Sequence, residues 1–302
     1  MLSAIRRELP DAQLTIAIAT GTHGPTALDQ LGIDEFLAGA RVVNHDGHRD
    51  DELVLLGTTA RGTPVRAHRC VVDADLVVAT GCIRPHYFAG FGAGGKAIFP
   101  GLGAASDIRR NHRLKIHPGA RAGALDDNPC RADLDEAVAL LETPTFLLNV
   151  VAAPDGPRAA VAGALGAGFR AGVELCRPWF TVRARRAPLV IASDALPVTA
   201  TLYQAAKIFA AALPLVAEGG KLVVVAECCD GVGPLDVVNE AIFRIGVLPR
   251  VPAGATLALV SGLSREVVER TLVKAAPSVD VEGADRVVVI PRASQLICEP
   301  TS

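Results

Sequence analysis

Short apolar runs, each closing on a turn with glycine or proline, recur along the chain. LTIAIA (14–19) ends in TGTHGP, and DLVVAT (75–80) ends directly in GCIRPH. Runs of this length and β-branched content predict buried strands of a parallel sheet, with functional loops at their carboxyl ends. The stretch 26–38 predicts a helix, its apolar side formed by Leu28, Leu31, Ile33 and Phe36. Between 40 and 70 the pattern is mixed: ARVVNH, ELVLLG and TPVRAHRCVV predict short strands between polar turns. Residues 131–142 predict a helix, followed by a strand in TFLLNVVAA.

From about Arg185 the rhythm becomes regular. APLVIASDALP, KLVVVAECCDGVGP, ATLALVSGL and DRVVVIP predict strands; ATLYQAAKIFAAALPLV, VVNEAIFRIG and SREVVERTLVKA predict the helices between them. The expected fold class is therefore α/β: two domains, each an open, largely parallel sheet flanked by helices. The charged stretch TVRARRA (181–187) sets the boundary, giving one domain over 1–184 and a second over 185–285. A C-terminal strand and tail, 286–302, would be free to return to the first domain.

Composition narrows the function classes. Half of the 302 residues are apolar, 21% are charged and the net charge is −2, so nothing favours nucleic acid or an anionic membrane surface. Mean hydropathy is +0.34, yet no apolar run reaches the ~18–20 residues of a membrane span. MLSAIRRELPDAQ lacks the apolar core of a signal peptide, so a cytoplasmic enzyme is expected. The seven cysteines include no C-x-x-C pair and are expected to be buried small hydrophobes. Lysine is scarce, at positions 96, 115, 207, 221 and 274, in a chain that otherwise uses arginine. A lysine retained in such a background suits a place where an amine must lose its proton or be acylated.

Candidate chemistry gathers at the strand ends, where open α/β sheets bind ligands. His23 follows the first strand and His86 follows DLVVAT; SDALP ends a third. PHYFAGFGAGGKAIFPG (85–101) nearly spells a nucleotide phosphate loop, with Gly90, Gly95 and Lys96, but Ala97 stands where a magnesium-binding hydroxyl belongs. His112 lies in the basic segment RRNHRLKIH, where it reads equally as solvated surface. His45, His48, His68 and His117 are expected at the surface. Gln204 and Lys207, three apart, share one helix face that is either solvated or functional. His23, His86 and His112 would suffice for a His₃ zinc hydrolase, though no short-spaced pair pre-organises one.

Taken together, ATGTHGP (19–25), the 85–101 loop, NH (111–112), NPCRADLDE (128–136), YQAAK (203–207) and AECCDGVG (226–233) resemble the nickel-dependent lactate racemase family. The resemblance implies a racemase or epimerase of 2-hydroxy acids that uses a nickel pincer nucleotide derived from nicotinic acid mononucleotide. By the same resemblance Lys96 carries the cofactor covalently, and Gly94 and Gly95 let backbone approach it. His112 ligates Ni(II) in a square-planar set. His23 and His86 form the acid/base pair. Gln204 and Lys207 hold the substrate carboxylate from the second domain, so the active site lies in the inter-domain cleft. The implied partners are a small 2-hydroxy acid and the proteins that make the cofactor. A homo-oligomer is an open expectation, and a relative that binds without turnover is the competing class.

The chain departs from the family pattern in three places. Its loop reads Gly92-Ala93-Gly94-Gly95, and Pro197-Val198-Thr199 stands where the family has Pro-Lys-Asp. The family's Asp-x-Thr-Arg-Pro segment is not in this sequence. Leu2, Ile5 and Leu9 on one helical face suggest that Met1 lies inside a longer element. The expectation is an open sheet edge beside LTIAIA and poor racemisation by this form, unless another chain completes the site.

Overall fold

The computed structural model describes residues 2–32 and 39–302. Ile33 and Phe36 of the expected 26–38 helix therefore lie outside the described residues. After helix α1 (Leu2–Glu8), strands β1 (Thr15–Ile18) and β2 (Arg41–Asn44) pair in parallel. β3 (Leu53–Thr58) and β4 (Pro64–His68) form an antiparallel hairpin, so the mixed stretch 40–70 splits between two small sheets. His68 ends β4 and caps the short helix α2 (Arg69–Val72), its Nδ1 accepting the Cys70 N–H at 3.1 Å.

Three strands build the next sheet. β5 (Val77–Ile83) runs parallel to β8 (Thr145–Ala153), which pairs antiparallel with β9 (Gly156–Ala164). Leu147, Asn149, Val151 and Ala153 alternate inward on β8, while Phe146 and Val150 point outward. The inward face is covered by α5 (Leu165–Phe180), whose buried stripe is Phe169, Gly172, Val173, Cys176 and Phe180. Gly172 makes that contact possible, because a Cβ there would meet Ile83 Cδ1 at 2.3 Å. The Ala/Gly-rich run 159–172 that carries no clear period in sequence is thus a strand entering a helix. Between β5 and β8 lie the small hairpin β6 (Pro85–His86) and β7 (Gly90–Phe91), then α3 (Ala105–His112) and α4 (Pro129–Ala139). Asn128 caps α4 by accepting the Arg131 N–H, with Pro129 at the first helical position.

The second half follows its sequence pattern closely. β11 (Ala187–Ser193), β12 (Val216–Val225), β13 (Thr256–Val260), β14 (Lys274–Ala275) and β15 (Val287–Ile290) form one sheet in the order β14-β13-β12-β11-β15, every pair parallel. Helix α6 (Leu202–Ala212) starts at Thr201, whose hydroxyl accepts the Gln204 N–H, and buries Ala205, Ala206, Ala211 and Ala212 beside Phe209. Small side chains let this helix lie close on the sheet. A π-helical segment, Val237–Val247, and α7 (Arg265–Glu269) complete the crossovers. Residues 181–185 form β10 (Thr181–Arg185), which pairs in parallel with β16 (Ile297–Thr301). Residues 287–290 thus join the five-stranded sheet, and only 297–301 return to β10.

A half-buried arginine ties the two halves together near His112. Arg250 donates to the carbonyls of Lys115 (2.5 Å), His117 (3.0 Å) and Ala120 (2.8 Å). It also donates to Gly246 in its own segment.

Several surface assignments change. His45 and His68 are buried, at 0% and 2% exposure, with their rings edge-on at 5.7 Å. His45 ends the strand that runs beneath the 103–105 turn, and its Nε2 lies 3.0 Å from the Gly103 carbonyl. His48 and His117 are exposed. Cys130, Cys176, Cys228 and Cys298 are buried, but Cys82 and Cys229 are exposed because the outward phase of β5 and the 226–233 loop carry them. Among the described residues no helix is long and apolar enough to cross a membrane.

Candidate active site

The loops after β1 and β5 meet α3 and α6 at a cavity of about 300 Å³. His23, His86, His112, Gln204 and Lys207 all line it, joined by Arg84. Residues from the start, middle and second half of the chain thus reach one cleft, and among the described residues no carboxylate side chain lines it.

Phe88 holds two of the imidazoles. Its ring packs edge-on to His86 and to His112, each at 4.7 Å between centroids, while Tyr87 stacks on His86 at 5.4 Å. The Ala89 N–H donates to His86 Nδ1 at 3.2 Å, so the neutral ring carries its proton on Nε2. Burial, then the charges of Lys96, His112, Lys207 and Arg84, hold His86 well below 6.5.

His112 has the opposite tautomer. Asn111 Nδ2 donates to Asp133 Oδ2 (2.8 Å) and to the Cys130 carbonyl (3.2 Å), which fixes the amide orientation. Asn111 Oδ1 must therefore accept from His112 Nδ1–H at 3.2 Å, leaving the Nε2 lone pair free. Asp133 is fully buried and also accepts from Thr59 (2.5 Å) and Thr63 (2.8 Å), so the anchor is rigid. Burial first, then Lys96, Lys115 and His23, push His112 down to about 3. His23 itself is exposed.

The acid response follows from these shifts. His45, His86 and His112 have folded-state values below 6.5, chiefly through burial, so the unfolded chain takes up protons first as pH falls. Stability from their neutral forms is present above about 6.5 and is lost as pH drops toward each folded-state value, about 3 for His112. Urea midpoints are expected to fall between pH 7.5 and 5. Level midpoints across that range would contradict the assignment.

Lys96 sits on the tight turn Gly94–Ala97, behind the histidines. It is not among the cavity-lining residues, yet its charge bears on both His86 and His112. Burial, with the Arg131 charge second, lowers its ammonium to about 8. Arg131 pairs with Asp135 at 2.6 Å and lies 4.1 Å over the Phe169 ring. Gly94 is at φ +62°, and a Cβ there would strike Phe169 at 2.6 Å; its N–H donates to Asn149 Oδ1 at 2.9 Å. A Cβ on Gly95 would press Val138 at 3.1 Å. In this structure the two glycines therefore serve packing behind the loop. A larger cavity of about 430 Å³ also lies there, lined by Gly95, Arg131 and Phe169 but by none of the histidines. The smaller cavity is the better candidate because the titratable groups converge on it.

Ala93 has φ 65° and ψ −158°, a region that glycine occupies cheaply and alanine does not. Ala93→Gly is expected to stabilise the chain by about 1 kcal/mol. Strain worth ~1–3 kcal/mol is relieved, offset by the ~0.5–1 kcal/mol of extra entropy that glycine loses. A urea midpoint that falls instead would mean the Ala93 methyl, packed near Gly81, matters more than its backbone.

On the opposite wall Lys207 Nζ donates to Gln204 Oε1 at 2.6 Å, which leaves the Gln204 amide NH₂ and the ammonium as paired donors. Burial, then Arg84, lowers Lys207. Among the described residues no group of three or more His, Cys, Asp or Glu is arranged to hold a metal. His23, His86 and His112 thus line one cavity without forming the His₃ set of a zinc site. Arg84, Phe88, Asn111 and Tyr203, all at or beside the cleft, carry no motif of their own; their signal in the sequence is that each stands within two residues of His86, His112 or Gln204.

Residues 1–123 match the model of the lactate racemase N-terminal domain. The lactate racemase of Thermoanaerobacterium thermosaccharolyticum is 33% identical over 266 residues, covering 81% of this chain and 62% of that protein. The chain is a relative of the lactate racemases. That of Lactiplantibacillus plantarum is 29% identical over 240 residues, 77% of this chain and 56% of its own. This lactate racemase relative therefore spans about three fifths of the length of the curated proteins it matches. The structure of the T. thermosaccharolyticum lactate racemase apoprotein superposes with a TM-score of 0.89 at 27% identity, covering 98% of this chain and 81% of that one. A Thermotoga maritima protein at 16% identity, TM-score 0.74, shares the fold.

Proposed function

We propose that this chain interconverts the configurations of a lactate-like 2-hydroxy acid, using a nickel pincer nucleotide derived from nicotinic acid mononucleotide and attached to Lys96. The observation that carries the reading is the single cavity that joins His23, His86 and His112 to the Gln204–Lys207 donor pair. We assign the first wall to a domain over 1–184 and the second to one over 185–285, acting in the cytoplasm alongside the proteins that make the cofactor.

The residues fit such a group. Lys96, an amine lowered to about 8, is the nucleophile a covalent attachment needs, and His112 offers a free Nε2 lone pair to Ni(II). Held by Lys96 and His112, such a group would supply the acceptor and donor for the substrate's C2 hydride. The chain's own residues do the rest. Gln204 and Lys207 grip the carboxylate through N–H donors. His23 and His86 exchange the hydroxyl proton, one for each face of the planar keto acid. His86 in the tautomer described here is a donor at Nε2; to act as base there its contact with the Ala89 N–H must open. Among the described residues the His23 ring makes no hydrogen bond that would have to break. Phe88 and Tyr87 exclude water from the His86 side.

Protein made together with the cofactor-forming enzymes should contain nickel, show a covalent mass increment, and convert either enantiomer to the racemate. Unmodified protein that binds 2-hydroxy acid without turnover would mark a non-catalytic relative, and zinc without an adduct a hydrolase. Asn111→Ala removes the acceptor that fixes the His112 tautomer, so nickel retention against a chelator is expected to weaken about 10- to 100-fold. Unchanged retention would remove Asn111 from this role.

A further inference from the structure

The Gln204–Lys207 pair accounts for one carboxylate, and the cavity holds a further cation that this role leaves unused. Arg84 lines the same cavity, two residues before His86 at the end of β5. Its backbone is pinned between the hairpin and the Lys96 loop, since the Gly92 N–H donates to the Arg84 carbonyl at 2.8 Å. Its guanidinium makes no hydrogen bond or ion pair among the described residues, whereas arginines nearby do, Arg131 with Asp135 and Arg177 with the Gly123 carbonyl. Among the described residues no Asp or Glu lines the cleft to neutralise it.

We propose that Arg84 makes this cavity selective for a 2-hydroxy acid bearing a second carboxylate, a four-carbon hydroxy diacid rather than a simple monoacid. The inference rests on the racemase reading for which carbon reacts, but not for how the ligand is held. Residues 84 and 86 flank one proline in an extended segment and so project to the same side. Arg84 therefore stands beside the proton-transferring imidazole, while Lys207 and Gln204 stand on α6 across the cleft. Arg84 stands exposed at the rim of the cleft, and its charge bears on the half-buried Lys207, so an anion between the two would be drawn by both. A ligand with carboxylates at both ends, and the C2 hydroxyl between, satisfies both walls at once. A monoacid leaves one cation facing the cleft uncompensated. The guanidinium's planar fork suits a carboxylate through two parallel N–H donors, and a volume of about 300 Å³ admits a ligand of this size.

Calorimetric titration of the whole 302-residue chain, with and without cofactor, tests the idea using (R)- and (S)-malate against (R)- and (S)-lactate. Malate is expected to bind about 10- to 100-fold more tightly, the value of a charge-assisted contact. Arg84→Gln is expected to bring the ratio near one, and Arg84→Lys to restore part of it. Equal affinities in the unaltered chain, or an equal loss for both ligands in Arg84→Gln, would overturn the proposal; the latter would mean one carboxylate bridges both walls. Interconversion of the enantiomers is read separately by chiral analysis. Preferred malate binding with no interconversion of either acid leaves the Arg84 assignment standing and removes the racemase reading, while interconversion of lactate without a malate preference does the reverse.

Discussion

Lys96→Arg is expected to give a folded protein with no covalent adduct, no bound nickel above background and no measurable turnover. The reason lies in protonation. Burial and the Arg131 charge bring the Lys96 ammonium down to about 8, so about a quarter of it is the free amine at pH 7.5, against roughly one part in a thousand at an ordinary lysine value. A guanidinium keeps its proton throughout this range and cannot be acylated. Attachment in the unaltered chain should accelerate as pH rises toward 8 and level off above it, because the neutral fraction saturates there. Intact mass and peptide mapping check the outcome. An equal increment on the arginine variant, or an increment mapped to Lys115, Lys207, Lys221 or Lys274, would place the attachment elsewhere.

Much of this site is legible in the sequence because its residues end strands whose apolar runs are unmistakable. LTIAIA and DLVVAT deliver His23 and His86 to the same side of the fold, and the Gln204–Lys207 spacing sets both on one face of α6. The five-stranded parallel sheet follows from runs such as KLVVVA, which are buried on both faces and need no alternation. The first half was harder to read for a physical reason. Its strands pair in small mixed sheets, so β3 and β4 look like any half-buried segment. In β9 and the first turn of α5, alanine and glycine allow close packing but leave no apolar period, which emerges only with Phe169, Val173, Cys176 and Phe180. The environment of the histidines was also invisible. Asn111 orients His112 only because Asp133, Thr59 and Thr63, far apart in sequence, fix the amide from behind. Nor does a single sequence reveal that His45 and His68 are buried against one another, since one follows β2 and the other ends β4, 23 residues on, with nothing local to pair them.

Single replacement of His86 or His23 by alanine is expected to lower turnover by ~10²- to 10⁴-fold in both stereochemical directions while leaving the Lys96 adduct and the nickel in place. Each direction needs one imidazole to take the hydroxyl proton and the other to return it on the opposite face, so neither can compensate for the other. The two variants should differ in one respect. His86 packs against Phe88 and Tyr87 and accepts the Ala89 N–H, so its removal is expected to lower stability as well, whereas exposed His23 should be replaceable without a shift in the urea midpoint. The rate profile of the unaltered protein should keep its acid limb below 6.5, because burial and the surrounding cations hold His86 in its neutral form to lower pH. Deuterium at substrate C2 should slow the reaction in the unaltered chain and stay on C2 through inversion, whereas wash-out of the label to solvent would point to proton abstraction at C2 instead of hydride movement. A single variant that kept near-normal rates in both directions would break the two-imidazole scheme and turn attention to Tyr203 or Arg84 as the second group at the substrate oxygen.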